Sequence, residues 1–196
     1  EYEQWSALER LNRERELISV YISGHPLDDY SIILTDVCSN HAPDLADISP
    51  YKDKDITVGG IVTSVRTGQT KTGKPYGIVK LEDYDGAGEI ALFGDDWARH
   101  SGYFTIGNSL FITAHVEERH WKPGNYDLRI TKIEFLSDVK ENKIQRITFT
   151  LNLDELDDIA AQDLSTHLQK AGKTELYFNV REPKRSFNVT LRSQTP

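Results

Sequence analysis

Cysteine is almost absent from this sequence, which has Cys38 alone among its 196 residues. A single thiol excludes an intrachain disulfide framework and a cysteine-rich zinc site. We interpret Cys38 as a small buried side chain, because a free cysteine behaves as a small hydrophobic residue. The scarcity of cysteine fits a reducing, cytoplasmic setting.

Methionine and long apolar runs are absent as well. Because the chain has no Met, it carries no initiator, and we expect it to be a fragment of a longer protein. No apolar run approaches the roughly 20 residues that span a bilayer. The first residues also lack the basic-then-apolar order of a signal segment.

A surplus of positive charge, typical of tight and nonspecific duplex binders, is the third absence. The formal net charge is −8. Lys and Arg number 5 against 11 Asp and Glu in residues 1–54, 9 against 11 in residues 55–136, and 9 against 9 in residues 137–196. Any contact with nucleic acid must therefore depend on local groups of basic residues.

The first section of the chain has a helical pattern. Apolar residues recur at spacings of three, four and seven between residues 3 and 24, which predicts a helix with one apolar face. Gly24 favours the end of that helix, and a second short helix is predicted from Pro26. Residues 39–54, SNHAPDLADISPYKDK, read as a linker that marks a domain boundary.

The second section alternates in the manner of β-strands. Strands are predicted in residues 55–67, 75–83, 89–94, 109–119 and 126–136, with a short helix in residues 95–104 between the third and the fourth. Paired Gly59 and Gly60 indicate a bulge or bend in the first strand. This order favours the five-stranded oligonucleotide-binding (OB-fold) barrel, although a five-stranded meander could share it.

The third section predicts a small β-α-β-β unit. Its elements are a strand in residues 143–152, a helix in residues 153–172 and two strands in residues 174–181 and 186–193. The fold class is thus mainly β with α. We expect a helical segment and linker (1–54), the barrel (55–137) and a small α+β domain (138–196) that is either docked on the barrel or cut short.

Residues 66–77, RTGQTKTGKPYG, nearly match the phosphate-binding loop G-x-x-x-x-G-K-S/T. Such a loop joins a strand to a helix and needs a hydroxyl at its last position to hold magnesium. Pro75 stands at that position, and a strand follows. The sequence therefore argues against a nucleotide site and favours a hairpin tip.

Basic and aromatic residues collect instead on the two loops that flank the binding face of this fold. Cations for phosphates and flat rings for bases are what single-stranded nucleic acid requires. The turn between the second and third strands is acidic. The predicted nucleic-acid-binding residues are Arg66, Lys71, Lys74, Tyr76, Lys80, Arg119, Trp121 and Lys122.

Simpler interpretations of these residues stay open. Both loops can be solvated hairpin tips without a ligand, and Lys80 can be an ordinary exposed charge. Trp121 can pack against a neighbouring domain. Phe93 and Trp97 are interpreted as anchors that hold the short helix to the barrel.

The pattern of titratable residues does not predict catalysis. The paired carboxylates are adjacent in sequence, so the two members of a pair cannot share a strand face. The six histidines show no two-His ligand spacing on one element. We expect no catalytic residue, metal or cofactor in this chain.

A specific resemblance covers essentially the whole chain. Residues 14–30, ERELISVYISGHPLDDY, resemble a segment of the bacterial replicative DNA polymerase III alpha subunit, in which a charged helix runs into Tyr-x-x-Gly-His-Pro. The barrel of that family begins with V-x-G-x-V, as Val58, Gly60 and Val62 do here. Residues 71–94 resemble its second and third strands, with matches at Leu81, Glu82, Asp83, Gly86, Glu89 and Phe93.

The resemblance implies a DNA-directed DNA polymerase of chromosome replication, a nucleotidyltransferase whose catalytic carboxylates lie upstream of this chain. The barrel would bind single-stranded template DNA, and the terminal domain would bind the clamp-loader tau subunit and adjoin the rest of the polymerase chain. The sequence contains no sliding-clamp peptide motif, so we do not expect it to bind the clamp. The alternative is a replisome scaffold without direct DNA contact.

Overall fold

The computed structural model describes residues 13–14, 17, 24–119, 122–153, 174–182 and 187–193. Contacts divide the chain into two compact units, Glu1–Val139 and Lys140–Pro196. Most of the helix predicted within residues 3–24 and nearly all of the helix predicted within residues 153–172 lie outside the described residues. Among those that are described, no helix is long and apolar enough to cross a membrane.

The first unit is built on one antiparallel five-stranded sheet with the order β3-β2-β1-β4-β5. A short helix separates the third strand from the fourth, as predicted. This order of elements is that of an OB-fold barrel. The elements are β1 (Asp55–Gln69), β2 (Pro75–Glu82), β3 (Ala87–Phe93), α1 (Asp95–His100), β4 (Ser109–Glu118) and β5 (Tyr126–Phe135).

Strand β1 is long because it serves two partners. Its first half pairs with β4 from Asp55 to Ile61, and its second half pairs with β2 from Ile61 to Gln69. The β2 register shifts between Val62 and Ser64, so the irregularity follows the paired glycines rather than falling on them. Gly60 is required here, since an added Cβ would lie 2.7 Å from the Glu82 carbonyl oxygen.

The barrel core is formed by alternate residues of each strand. Val79 and Leu81 of β2 are fully buried, and their neighbours Ile78 and Lys80 point outward, as the alternation predicted. On β4 the predicted inward set is also buried. It consists of Leu110, Ile112, Ala114 and Val116.

The segment before β1 packs against the barrel. A 3-10 helix at Ala42–Ala46 places Ala42 and Leu45 in the barrel core cluster. Further short helical turns lie at Asp28–Tyr30, Ile33–Val37 and Ser49–Tyr51. The sequence predicted a linker over much of this segment, but its apolar side chains contribute to the packing of the first unit.

The second unit contains a three-stranded sheet with the order β6-β7-β8, formed by β6 (Arg146–Asn152), β7 (Glu175–Glu182) and β8 (Phe187–Arg192). Strands β6 and β7 are parallel, and β7 and β8 are antiparallel. A parallel pair needs a long crossover connection, which agrees with the predicted β-α-β-β order. Helix α2 (Leu136–Lys143) follows β5 and was not predicted.

Candidate nucleic-acid interface

The outer surface of β1, β2 and β3 forms a patch next to the β1–β2 loop. Strand register sets its layout, because residues paired across strands share a face. Tyr76 pairs with Phe93, Ile78 with Ala91 and Lys80 with Glu89. On β1, the other strand that neighbours β2, Gly68 pairs with Tyr76, and Arg66 pairs with Ile78. We call the surface formed by these eight residues the outer patch.

Two aromatic rings dominate one end of the outer patch. The ring centroids of Tyr76 and Phe93 lie 5.9 Å apart at an interplanar angle of 36°. Phe93 is 49% exposed, although it is a large apolar side chain. A Cβ at Gly68 would lie 2.8 Å from the Tyr76 hydroxyl, so the glycine leaves room for the ring to lie over β1. The result is an exposed aromatic platform.

Phe93 corrects the interpretation made from the sequence. It was expected to anchor the short helix, but Ile90 and Leu92 face inward on β3 and Phe93 therefore faces outward. The predicted anchoring role is confirmed for Trp97, which packs against the core and stacks on Phe104 at 6.0 Å and 6°. The pairing of Phe93 with Tyr76 could have been found only by aligning β2 with β3 across the acidic turn.

Arg66 and Lys80 flank the platform. The Arg66 guanidinium donates to a Glu89 carboxylate oxygen at 2.7 Å, and both side chains are more than half exposed. A surface ion pair of this kind contributes about 0–1 kcal/mol to stability. It therefore orients the Arg66 guanidinium but holds it only weakly. Lys80 is exposed opposite the same glutamate. Within the outer patch, Glu89 is thus shared between these two cations.

The β1–β2 loop is a closed hydrogen-bonded tip. The Thr70 N–H donates to the Lys74 carbonyl at 2.8 Å, and the Lys74 N–H donates to the Thr70 hydroxyl at 3.1 Å. Gly73 has φ of +79°, a conformation that favours glycine. Lys71 and Lys74 are exposed, and the structure shows no ion pair for them among the residues it describes. Both charges are therefore open to an anion.

Lys74 also lies close to the platform. Its Cδ would be 3.6 Å from a Cβ added at Gly94, the residue that follows Phe93. The Gly94 N–H donates to the Pro75 carbonyl at 2.7 Å, which ties the two chain segments together. The fold thus brings Lys74, Tyr76 and Phe93 to one place.

The β4–β5 loop is arranged differently. The Arg119 guanidinium is held by a short hydrogen bond to the Asp127 carboxylate. That bond raises the pKa of Arg119 above its ordinary value. Lys122 is exposed, and Trp121 lies outside the described residues. Arg119 is therefore already engaged by a carboxylate.

The two loops were predicted to converge, and that convergence stays a prediction. The β1–β2 loop follows the end of β1 at Gln69. The β4–β5 loop follows Glu118. The Glu118 carboxylate pairs with Lys52, a residue that lies just before the start of β1. Within the described part of the chain, the contacts gather Arg66, Lys74, Tyr76 and Lys80 but do not connect them to Arg119 or Lys122.

The acidic turn between β2 and β3 is tied to the segment before β1. The buried Asp83 accepts backbone hydrogen bonds from Ala42 at 2.6 Å, Asp85 at 2.9 Å and Gly86 at 3.1 Å. The Tyr84 hydroxyl donates to Asp28 at 3.0 Å. Burial and this carboxylate raise the pKa of Tyr84 to about 12. A backbone hydrogen bond from His25 lowers the pKa of Asp28.

His41 completes a small polar cluster at this turn. Its Nδ1 lies 2.8 Å from Asp85 and 3.6 Å from Asp83, and the three ligand-type atoms fall within 4.8 Å of one another. Sequence spacing could not predict this cluster, since His41 precedes Asp83 by more than 40 residues. The hydrogen bonds of Asp83 and Tyr84 account for this cluster, because they fasten the acidic turn to the segment before β1.

Comparison with known families divides the chain in the same manner as its contacts. Residues 56–136 match the family model for an OB-fold nucleic acid binding domain. Residues 147–196 match the model for the C-terminal domain of the DNA polymerase III alpha subunit.

Curated relatives cover the chain from end to end. DNA polymerase III subunit alpha of Borreliella burgdorferi is 27% identical over 98% of this chain and 17% of its own length. The Vibrio cholerae subunit is 23% identical over 97% of the chain and 16% of its own length. The chain therefore spans about a sixth of these relatives.

Comparison with solved structures gives matches of low similarity, among them two that cover less than half of this chain. The second OB-fold domain of replication protein A from Methanococcus maripaludis is 12% identical, covers 43% of this chain and 85% of its own, and gives a TM-score of 0.29. The mitochondrial single-stranded DNA binding protein Rim1 from S. cerevisiae is 12% identical over 42% of this chain and 95% of its own, with a TM-score of 0.32. The fold assignment rests on strand order and the family model.

Proposed function

We propose that this chain, which belongs to the DNA polymerase III alpha subunit family and corresponds to its C-terminal region, binds single-stranded DNA through the outer patch. The observation that carries the proposal is the exposed Tyr76–Phe93 platform beside Lys74. An aromatic pair that faces outward and is 49% exposed at Phe93 does not contribute to the core. Its simplest use is as a stacking surface for bases.

Two kinds of interaction support the proposed site. Stacking of a base on an aromatic ring contributes about 1–3 kcal/mol and tolerates any sequence. Lysines that contact phosphates release counterions, which makes affinity depend on salt. Because the chain is acidic overall, we expect weak binding that is measurable at low salt. Lys71 and Lys74 would supply most of the salt dependence of binding at the outer patch.

The test is a titration of a fluorescent oligothymidylate with the chain at several salt concentrations. We expect Tyr76→Ala/Phe93→Ala to weaken binding by about tenfold or more, since two stacking surfaces are removed. The matched control is Phe135→Ala, which removes a barrel phenylalanine that is 37% exposed and faces Tyr103 instead. Equal affinities for the native chain and the double variant would refute the proposal.

The parent protein would be a replicative DNA-directed DNA polymerase, with its catalytic residues in the part of the relatives that this chain does not span. In that setting the barrel would hold the single-stranded template ahead of the active site. A primer-extension assay with the full-length protein would check this, and we expect the double variant to lose processivity before it loses single-nucleotide addition. Equal loss of both would point to a defect in the polymerase domain.

The second unit would dock the clamp-loader tau subunit. The apolar side of the second unit's sheet supports this role. None of the described side chains on that side is fully buried, so the surface is available for a partner to cover. Phe149 and Phe178 stack there at 5.7 Å. A pull-down with tau, using the chain with and without residues 138–196, tests the assignment. Retention of tau by the shortened chain would contradict it, and a chain that binds tau but no DNA would support the scaffold alternative.

A further inference from the structure

We propose that the polar side of the second sheet is a separate binding surface for single-stranded nucleic acid. Strand pairing defines this surface, since Tyr177, Asn179 and Arg181 of β7 each pair with polar residues on both β6 and β8. We call it the polar face. Its residues are Arg146, Thr148, Thr150, Asn152, Glu175, Tyr177, Asn179, Arg181, Asn188, Thr190 and Arg192.

The polar face is accessible at its two outer strands. Eight of its eleven residues are exposed, and the other three are half-buried on the central strand, where the Asn179 Oδ1 atom is buried. The opposite side of the same strands is mainly apolar, with the pairs Ile147–Leu176, Phe178–Leu191 and Val180–Val189. A sheet needs only one apolar side for packing, so the polar side is left for another use.

The charge of the polar face is opposite to that of the whole chain. It carries three arginines and one glutamate, whereas the chain has a formal net charge of −8. Glu175 accepts from Arg192 at 2.6 Å and lies 3.6 Å from Arg146. One carboxylate is shared by two guanidinium groups that are 61% and 63% exposed. The surplus of positive charge favours an anionic partner.

Tyr177 and Arg146 indicate which anion fits. The Arg146 guanidinium lies over the Tyr177 ring at 4.4 Å from its centroid. Guanidinium planes and aromatic rings on a sheet are surfaces on which unpaired bases stack. Exposed threonine and asparagine side chains surround the pair and can bond base edges or phosphates. An acidic peptide would use the charge but not this flat platform, so nucleic acid fits better.

This surface does not depend on the barrel site. It lies on β6, β7 and β8, and the outer patch lies on β1, β2 and β3. The two can therefore fail separately. One experiment tests both with a barrel-silenced chain, Lys71→Gln/Lys74→Gln/Tyr76→Ala/Phe93→Ala.

The experiment measures binding of a fluorescent oligothymidylate to the full 196-residue chain as a function of salt. We expect the barrel-silenced chain to keep part of its affinity. Adding Arg146→Gln/Arg192→Gln should weaken that remainder and lower its salt slope by about 1.4, from two phosphate contacts at about 0.7 each. Adding Tyr177→Ala instead should weaken binding by about tenfold.

Matched controls separate a surface effect from a general charge effect. Lys54→Gln/Arg99→Gln removes two exposed charges outside both surfaces and should leave the residual binding unchanged. Arg146→Lys/Arg192→Lys should keep the salt slope, and thermal melting checks that each variant is folded. The inference is overturned if the barrel-silenced chain binds no oligothymidylate, or if Arg146→Gln/Arg192→Gln binds as well as the control Lys54→Gln/Arg99→Gln. It is also overturned if oligoglutamate competes as well as unlabelled oligothymidylate.

Discussion

The two ends of β2 and β3 are built for different purposes. At the turn between these strands, Asp83 accepts three backbone hydrogen bonds, and Tyr84 and Asp85 fasten the turn to Asp28 and His41 of the preceding segment. At the other end, Lys74 and Phe93 are exposed to solvent and Tyr76 is half-buried. One end holds the preceding segment, and the other presents rings and cations.

The difference teaches that polarity alone does not identify a binding site. Both ends are rich in polar residues, and both looked like ordinary hairpin connections in the sequence. At the acidic end the polar groups satisfy one another, with Asp83 only 5% exposed. At the basic end the lysines have no such partners among the described residues, and the aromatic rings are outside the core. The basic end therefore differs from the acidic end because its lysine side chains and aromatic rings are available to a ligand.

The largest expected effect comes from breaking the fastened end. Asp83→Ala removes the acceptor of three backbone N–H groups, and charged hydrogen bonds contribute about 1.5–3 kcal/mol each before relaxation. We expect a loss of about 3 kcal/mol in the free energy of unfolding, measured by urea denaturation. Asp85→Ala is the control, because its exposed pair with His41 should cost under about 1 kcal/mol. Similar losses for both variants would show that Asp83 has no special role.

The next effect concerns the charges of the open end. Lys71→Gln/Lys74→Gln should lower the salt slope of oligothymidylate binding by about 1.4 when both lysines contact phosphate. Arg119→Gln should lower it less, since Asp127 already engages that guanidinium. Affinity measured between low and moderate salt gives both slopes. A larger change for Arg119 than for the lysine pair would shift the site toward the β4–β5 loop.

A smaller effect tests the placement of the Tyr76 ring. Gly68→Ala puts a Cβ against that ring, so we expect a loss of several-fold in affinity and a change in stability within about 1 kcal/mol. In a Tyr76→Ala background the same substitution should have no effect on binding, which a double-mutant cycle measures. Additive losses in the cycle would mean that Gly68 acts independently of the ring.

The smallest effect is a pH dependence at the fastened end. Burial and Asp28 raise the pKa of Tyr84 to about 12 from 10.0. A group whose pKa is raised by folding contributes stability that is present below pH 10 and is lost as the pH rises through about 12. Urea midpoints measured across this range should fall more for the native chain than for Tyr84→Phe. Parallel curves for the two proteins would contradict the hydrogen bond to Asp28.

Most of the barrel could be predicted from the sequence, because its strands alternate with a period of two. The inward faces of β2 and β4 follow from that pattern, and the position of α1 follows from its interruption, with Asp95 and Asp96 as helix-start residues and Gly102 as a stop. Phe93 was misread because it stands next to a helix, and adjacency in sequence suggested packing there. Alternation along β3 was the better guide.

Other features needed tertiary contacts. The pairing of Arg119 with Asp127 and the contact between Ala42 and Asp83 depend on which segments meet, and single-sequence patterns do not give that. Helix α2 was missed because only Leu136 and Val139 mark its buried side. The roles of the candidate site residues stay predictions, and Trp121 lies outside the described residues.

The central claim is that single-stranded DNA lies across Tyr76 and Phe93. The most direct measurement is ultraviolet cross-linking of oligothymidylate to the chain at low salt, followed by peptide mass spectrometry. Adducts at Tyr76 or Phe93 that disappear in the Tyr76→Ala/Phe93→Ala variant are the predicted result. Adducts elsewhere on the barrel, with none on these two rings, would contradict it.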